Sequence, residues 1–456
     1  MTDIVKQLTD TIGADQLLTG GAVAERVTSF WNSAPMQAKA IVLPQSTEEV
    51  SQVLKCCHAA GQSVLTHGGL TNCVAAVEPE VNDVVLSLEK MNRIVEIDAI
   101  GGAATVEAGV VLQAVQETVE KQGLRFPLDM GARGSCTIGG NIATNAGGLN
   151  VLRYGMMRNL VLGLEAVLAD GTVISSMNRM MKNNAGYDVK QLFIGTEGTL
   201  GIVTRAVLRL FPKPASEQSA FVAMNDFESV TGFLSLLRQE LADSLSAFEI
   251  MWGDYYAAVT GENGHRAPLA RDYPFYVVFE AEGSDPESDA ARFEEVLSQA
   301  LGDGLIVDAV IPKSGTEARE IWEIRENFED VLLPEPVYLY DVSLPIREMD
   351  GYVANVKKNV RARWKNGQCY TIGHVADGNL HFFVLPHEDG NFHQVSDECV
   401  YEPLAEVGGS VSAEHGIGTD KICWLSHSRT AAEIDLMRLL KHSLDPKNIL
   451  NPGRIF

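Results

Sequence analysis

His374 and His381 flank the tetrapeptide Ala376-Asp377-Gly378-Asn379. An Asp-Gly pair between apolar-containing runs is a strong signal for a two-residue hairpin turn. With Asp377-Gly378 as the turn, 376 pairs with 379, 375 with 380 and 374 with 381. The two imidazoles are then expected directly opposite each other on one face, with Cβ atoms about 4.5–5.5 Å apart. That is chelating distance for one metal ion. A third ligand is available at Glu414, followed by His415, in the run Ser412-Ala413-Glu414-His415-Gly416-Ile417-Gly418. Two His and one carboxylate leave open positions on a divalent cation, which suits catalysis better than structure. A His pair across a hairpin is by itself more often solvated or hydrogen-bonded, so the metal reading needs a matching chemistry elsewhere in the chain.

The 456 residues imply two or three domains. A hydrophobic fraction of 46% and a charged fraction of 21% are those of a globular protein. The net charge of −24 argues against nucleic acid or an anionic membrane as partner. No run of apolar residues is long enough for a membrane-spanning helix. The start, Met1-Thr2-Asp3-Ile4-Val5-Lys6, lacks a basic region and an apolar core and is not a secretory signal. A cytoplasmic protein is expected, with peripheral membrane association as the alternative. The seven cysteines (Cys56, Cys57, Cys73, Cys136, Cys369, Cys399, Cys423) contain no Cys-x-x-Cys and read as buried thiols in a reducing compartment.

The elements that must position these residues follow from the hydrophobic pattern. Residues 1–35 read as largely helical. From Ala40 onward short strands alternate with helices: Ala40–Leu43, then a helix capped by Ser46 or Thr47, then Val64–Thr66, Val84–Leu88 and Ala104–Ala108. Val111 to Gln122 reads as a helix ended by Gly123. Residues 163–174 form a hairpin on Asp170-Gly171. Phe211-Pro212-Lys213-Pro214 is the expected domain boundary. Beyond it, helices over 225–242, 285–301 and 316–330 alternate with strands at 275–280 and 337–343, a pattern of helices laid on an antiparallel sheet.

Three glycine turns stand out, at 67–72, 131–148 and 195–201. The second holds six glycines in 18 positions, a density that no ordinary helix or strand tolerates, and reads as backbone pressed against a ligand. Backbone N–H groups with no side chain in the way are how loops cradle a pyrophosphate. None of the turns fits Gly-x-Gly-x-x-Gly after a first strand or Gly-x4-Gly-Lys-Ser/Thr. Three separated loops suit one long cofactor of dinucleotide size.

Gly139-Gly140-Asn141-Ile142-Ala143-Thr144-Asn145-Ala146-Gly147-Gly148, the hairpin at 170–171, and Gly195-Thr196-Glu197-Gly198-Thr199-Leu200-Gly201-Ile202-Val203-Thr204 resemble the FAD-binding fold of the vanillyl-alcohol-oxidase type. Gly373-His374-x-x-Asp377-Gly378-Asn379-Leu380-His381, Glu414-His415-Gly416-Ile417-Gly418 and Leu450-Asn451-Pro452-Gly453 resemble its D-2-hydroxy-acid dehydrogenase branch, which holds D-lactate, glycolate and D-2-hydroxyglutarate dehydrogenases. The resemblance implies an α+β protein: a two-part FAD-binding domain from both chain ends and an antiparallel-sheet substrate domain with helices. The expected boundaries are 1–213, 214–419, and 420–456 returning to the FAD domain.

By this resemblance Gly68, Gly69, Thr71 and Asn72 approach the diphosphate. Ser135, Gly139, Gly140, Asn141, Thr144 and Gly148 line the flavin and ribityl chain. Glu197 and Gly201 belong to the third loop, Ile202 and Val203 flank the adenine side, and Asn448 lies near the isoalloxazine. His67 is not at a position of covalent attachment, so FAD is expected non-covalent and His67 structural. In the implied reaction a 2-hydroxy acid loses its Cα hydride to flavin N5 and its hydroxyl proton to a base, for which His415 is the candidate. His374, His381 and Glu414 would hold Zn²⁺, with Mn²⁺ the alternative. Arg325 would bind the substrate carboxylate and Asn379 would reach the substrate.

Family members acting on D-2-hydroxyglutarate carry lysine where this chain has Leu339, and threonine where it has Glu329. Both serve the far carboxylate, so a monocarboxylic D-2-hydroxy acid with an apolar side chain is expected here. Electrons would pass to an electron-transfer flavoprotein, a quinone or a cytochrome, and the family implies a homodimer. The alternatives are an oxidase, a flavin-bearing subunit of a glycolate-oxidising complex, D-2-hydroxyglutarate dehydrogenase itself, and a non-redox flavoenzyme of the alkylglycerone-phosphate synthase kind.

Overall fold

The computed structural model describes residues 3–261, 264–326 and 336–456. The chain divides into two compact units. One comprises 1–148, 155–213 and 414–456; the other comprises 149–154 and 214–413. Residues 414–419 were expected with the second unit. They belong to the first because Glu197 accepts hydrogen bonds from the N–H groups of Ile417 and Gly418, while Thr419 N–H donates to Val74 O.

The first unit contains a four-stranded sheet with Ala40–Val42 and Val64–His67 parallel to Val84–Ser87, and a five-stranded antiparallel sheet built on Ile202–Arg209. Helix Thr47–Ala60 starts where Ser46 accepts from Glu49 N–H and stops at Gly61 in the left-handed region, φ +65°. It buries Val50, Val53, Leu54 and Cys57, a stripe at helical spacing. The Asp170-Gly171 hairpin forms between strands Val161–Val167 and Val173–Ser176. The N-terminal 35 residues are less helical than expected, with one helix of more than a turn, Ile4–Ile12.

The glycine-dense segment also departs from expectation, because Ile138–Thr144 is helical despite Gly139 and Gly140. Thr137 caps it, and Asn145 closes it at φ +51°. Tertiary packing overrides propensity here: a Cβ on Gly139 would lie 2.7 Å from that of Ala108.

The second unit is a seven-stranded antiparallel sheet, in which Ser216–Met224, Phe275–Gly283, Leu245–Trp252, Gln368–His374, Asn379–Leu385 and Tyr338–Ser343 are successive neighbours. Helices Phe227–Glu240 and Pro286–Gly302 cover one face, where Phe233 and Phe293 both pack on Phe279. Helices Gly253–Val259 and Gly315–Glu326 lie on the other, burying Tyr255, Tyr256, Ile321 and Ile324 against Met251, Tyr276 and Ile372. The helix expected over 316–330 is thus observed to Glu326, and its remainder, with Glu329, lies outside the described residues. Among the described residues no helix is long and apolar enough to cross a membrane. The cysteines are free thiols; Cys57, Cys136, Cys369 and Cys399 are buried as expected, but Cys423 is exposed.

His67 is buried, and its Nε2 lies 2.8 Å from Val77 O. Burial, aided by the Arg454 charge, pushes it down to about 4 against the opposing Val77 hydrogen bond. The unfolded chain therefore binds a proton that the folded one refuses between that value and the ordinary ~6.5. Stability is fully present above ~6.5 and falls as the pH drops, by about 2 kcal/mol at pH 5 from this residue. Urea unfolding of wild type and His67→Gln at pH 7.5 and 5 should show that component only in wild type; equal losses in the two would contradict it.

Candidate active site

In the second unit the connection between His374 and His381 is longer than a two-residue turn. Val375–Asp377 form a 3-10 turn and Gly378 takes the left-handed φ of +92°. The register is His374 with Asn379, Gly373 with Leu380 and Ile372 with His381. The two histidines are consequently diagonal rather than opposite. They still share a face, because residues 379 and 381 alternate together, and their ring centroids are 5.3 Å apart, edge to face. The four-residue connection lets the left-handed residue be glycine while Asp377 Oδ1 accepts from Asn379 N–H.

Glu249 was missed in the sequence, although it is the lone charge in the run Leu245-Ser246-Ala247-Phe248-Glu249-Ile250-Met251-Trp252. Its strand pairs it with His374. Glu249 Oε1 lies 2.7 Å from His374 Nδ1, and Oε2 accepts from Arg325 Nε at 3.0 Å and Nη2 at 2.8 Å. Burial raises the Glu249 carboxyl, but the charges of His374 and Arg325 and their hydrogen bonds outweigh it, so the net shift is downward. An ionised carboxylate only accepts, so His374 Nδ1 points a proton at it, and in the neutral ring Nε2 would be the nitrogen left with a lone pair for a metal. Arg325 was expected to bind the substrate carboxylate. It is held across the sheet by Glu249, which takes its Nε and Nη2.

Asp341 faces His381 across the strand pair. It is fully buried and accepts from Ser412 Oγ at 3.2 Å and Ala413 N–H at 3.0 Å. Asn379, beside His374 in register, has a buried Oδ1 with no hydrogen-bond partner among the described residues. A buried orphan acceptor of this kind costs about 1–3 kcal/mol unless a ligand satisfies it. Farther along the same face the polar residues give way to Ile372, Phe383, Met251 and, packed against them, Leu339, Tyr370 and Trp322.

In the first unit the three glycine loops converge. A Cβ on Gly69 would fall 2.2 Å from Ser135 O and one on Gly68 2.6 Å from Thr137 Oγ1. The third loop joins the second through Gly195 N–H to Ile142 O and Glu197 N–H to Ala143 O. Gly139, Gly148 and Gly201 would each collide, if given a Cβ, with the protein's own Ala108, Asp129 O and Phe193. Their lack of a side chain is thus required by internal packing. Half-buried Gly68, Gly69, Thr71, Asn72, Gly140 and Thr144 are the positions left to meet a cofactor, whereas Ser135 is exposed and Asn141, Ile202 and Val203 are buried.

Asn72 and Glu197 have their side chains engaged within the protein. Asn72 Oδ1 accepts from Val74 and Ala76 N–H, and its Nδ2 donates to His415 O at 3.2 Å. Both Glu197 carboxylate oxygens are used on Ile417 and Gly418. These contacts clamp the main chain on either side of Gly416. Asn448 is exposed; Asn451, quoted above only as part of a motif, is the asparagine tied in, accepting from Thr66 N–H at 2.9 Å and donating to Glu197 O.

Residues 213–455 match the family model described as FAD linked oxidases, C-terminal domain, and residues 38–176 match the FAD binding domain model. A mitochondrial D-2-hydroxyglutarate dehydrogenase of Bos taurus is 40% identical over 420 residues, covering 92% of this chain and 77% of that one. A D-2-hydroxyglutarate dehydrogenase of Xanthomonas citri is 37% identical over 94% of this chain and 91% of its own length. A putative mitochondrial D-lactate dehydrogenase of Schizosaccharomyces pombe is 36% identical over 90% and 80%. Among solved structures, an alkyldihydroxyacetonephosphate synthase superposes with a TM-score of 0.77 at 19% identity over 100% of this chain and 86% of that one. A p-cresol methylhydroxylase gives 0.76 at 18% over 99% and 96%. At such identities these two bear on the fold alone.

Proposed function

The chain belongs to the FAD-linked oxidase family as an FAD-dependent D-2-hydroxy-acid dehydrogenase, and on that premise we propose that it oxidises monocarboxylic D-2-hydroxy acids with an apolar side chain, using a divalent cation held by His374, His381 and Glu414. The observation that carries the metal is the His374 imidazole with Nδ1 fixed on Glu249 and the ring of His381 beside it. The donor set, two imidazoles and a carboxylate, fits Zn²⁺, with Mn²⁺ as alternative.

When bound, the flavin supplies a hydride acceptor at N5 and the cation acidifies the substrate hydroxyl. The chain's own residues do the rest. Arg325, set by Glu249, binds the substrate carboxylate. His415 takes the hydroxyl proton on its imidazole as the Cα–H bond breaks. Asn379, beside His374 in register, reaches the substrate. FAD is bound non-covalently against Gly68, Gly69, Thr71, Gly140 and Thr144. An external carrier, an electron-transfer flavoprotein, quinone or cytochrome, would take up the two electrons.

The half-buried Leu339, on the face of strand Tyr338–Ser343 that carries Asp341, supports the substrate class. Leu339 alternates with Asp341 on one face of strand Tyr338–Ser343, so a side chain extending from the polar end along that face meets hydrocarbon. A charge-assisted hydrogen bond contributes about 1.5–3 kcal/mol, so Leu339→Lys should shift the kcat/KM ratio of D-2-hydroxyglutarate to D-2-hydroxy-4-methylpentanoate upward by about 10–100-fold. Steady-state rates on both acids check this, and an unchanged ratio would remove Leu339 from the substrate path. The second reading, D-2-hydroxyglutarate itself, is supported by the names of the relatives. Wild-type preference for the dicarboxylate in the same assay would favour it.

A further inference from the structure

Glu249 links two groups that the proposed function uses separately. One carboxylate oxygen lies on the His374 imidazole and the other on two nitrogens of Arg325, with all three side chains buried. We propose that Glu249 is a positioning residue that couples metal binding to substrate-carboxylate binding: it aims His374 Nε2 and sets the Arg325 guanidinium from a single carboxylate.

The argument rests on hydrogen-bond inventory. Arg325 has donors only, and His374 Nδ1 must donate if Nε2 is to ligate. Because His374 Nδ1 and the guanidinium meet different oxygens of one side chain here, that side chain must present an acceptor to each. At pH 7 a carboxylate satisfies that and an amide does not. Strand Leu245–Trp252 supplies it at the one position paired with His374, in a run otherwise without charge. Hydrophobic packing alone gives no reason for the carboxylate, since a buried ion pair is often matched or exceeded in stability by apolar residues of similar volume. A partner behind a ligating imidazole typically changes metal affinity by about 10–100-fold.

The inference rests on the metal reading above, and the test separates the two. Apo-enzyme of wild type, Glu249→Gln and His374→Ala, each confirmed to carry flavin by its absorbance, is titrated with Zn²⁺ against a chromogenic chelator. Wild type should bind one Zn²⁺ per chain and His374→Ala none at that affinity. Glu249→Gln can satisfy either His374 or Arg325 but not both. Its Zn²⁺ affinity should fall about 10–100-fold. At saturating Zn²⁺ its kcat should return towards wild type while KM for the hydroxy acid stays raised, because Arg325 is still misdirected. A merely structural role would not produce that split. If Glu249→Gln loses flavin, Glu249→Asp replaces it: the shorter carboxylate keeps the charge but cannot reach both partners, and the same two losses are expected. Wild-type Zn²⁺ affinity and KM in whichever variant folds would overturn the coupling. Absence of Zn²⁺ binding to wild type would overturn the metal reading itself.

Discussion

His415→Ala should lower kcat by about 10²–10⁴-fold, the usual loss when a positioned general base is removed, while FAD and Zn²⁺ stay bound. The expectation of an intact site follows from how the loop is held. Three of its anchors are main-chain groups: His415 O on Asn72, and the N–H groups of Ile417 and Gly418 on Glu197. None uses the imidazole, so truncating it leaves those hydrogen bonds in place. Flavin absorbance and Zn²⁺ titration report the intact site, and single-turnover flavin reduction reports the chemistry. A variant that keeps more than about a tenth of the wild-type reduction rate would assign the base elsewhere. Glu197→Gln offers a contrast, because it weakens the clamp itself and should lower kcat through loss of loop order rather than loss of the proton acceptor.

Arg325→Ala should be the most destabilising of the site substitutions, by about 3–5 kcal/mol, because it leaves the buried Glu249 carboxylate without its guanidinium partner. Arg325 is 5% exposed and Glu249 1%, so water does not replace the lost donors. The same substitution should raise KM for every 2-hydroxy acid, since the carboxylate common to all of them loses its donor. Arg325→Lys keeps the charge but not the planar fork, and should recover part of the stability and little of the affinity. Urea midpoints together with KM for two substrates of different side chain check both halves. A stable Arg325→Ala with unchanged KM would show that the guanidinium neither balances Glu249 nor meets substrate.

The sequence disclosed most where its signal was local. The Asp170-Gly171 hairpin, the Ser46 cap and the helices after Asp226 and Asp285 follow from short-range rules and appear with ends shifted by a few residues. The FAD-linked oxidase fold was legible because six motif segments occur in order. The legible part of the site was the identity of His374 and His381 and their common face. Their register was not, because Asp-Gly can close loops of different length and only the strand pairing selects four residues here. Helix Ile138–Thr144 was hidden because its two glycines look like a loop until Ala108 is brought against Gly139. Glu249 was invisible for a deeper reason. Its partners stand 76 and 125 positions away in sequence, and no local pattern announces contacts of that range. Asn72 and Glu197 carried motif signatures that pointed to cofactor, while their side chains turned out to hold the His415 loop.

Anaerobic flavin bleaching near 450 nm tests the central claim most directly. The purified protein is mixed with D- and L-lactate, D-2-hydroxy-4-methylpentanoate, D-phenyllactate and D-2-hydroxyglutarate, with and without prior chelation. Rapid bleaching by D-acids with apolar side chains is expected, with its loss on chelation and its return with Zn²⁺ or Mn²⁺. Bleaching that is indifferent to chelation would contradict the metal role of His374, His381 and Glu414, and preferential bleaching by D-2-hydroxyglutarate would contradict the apolar substrate class.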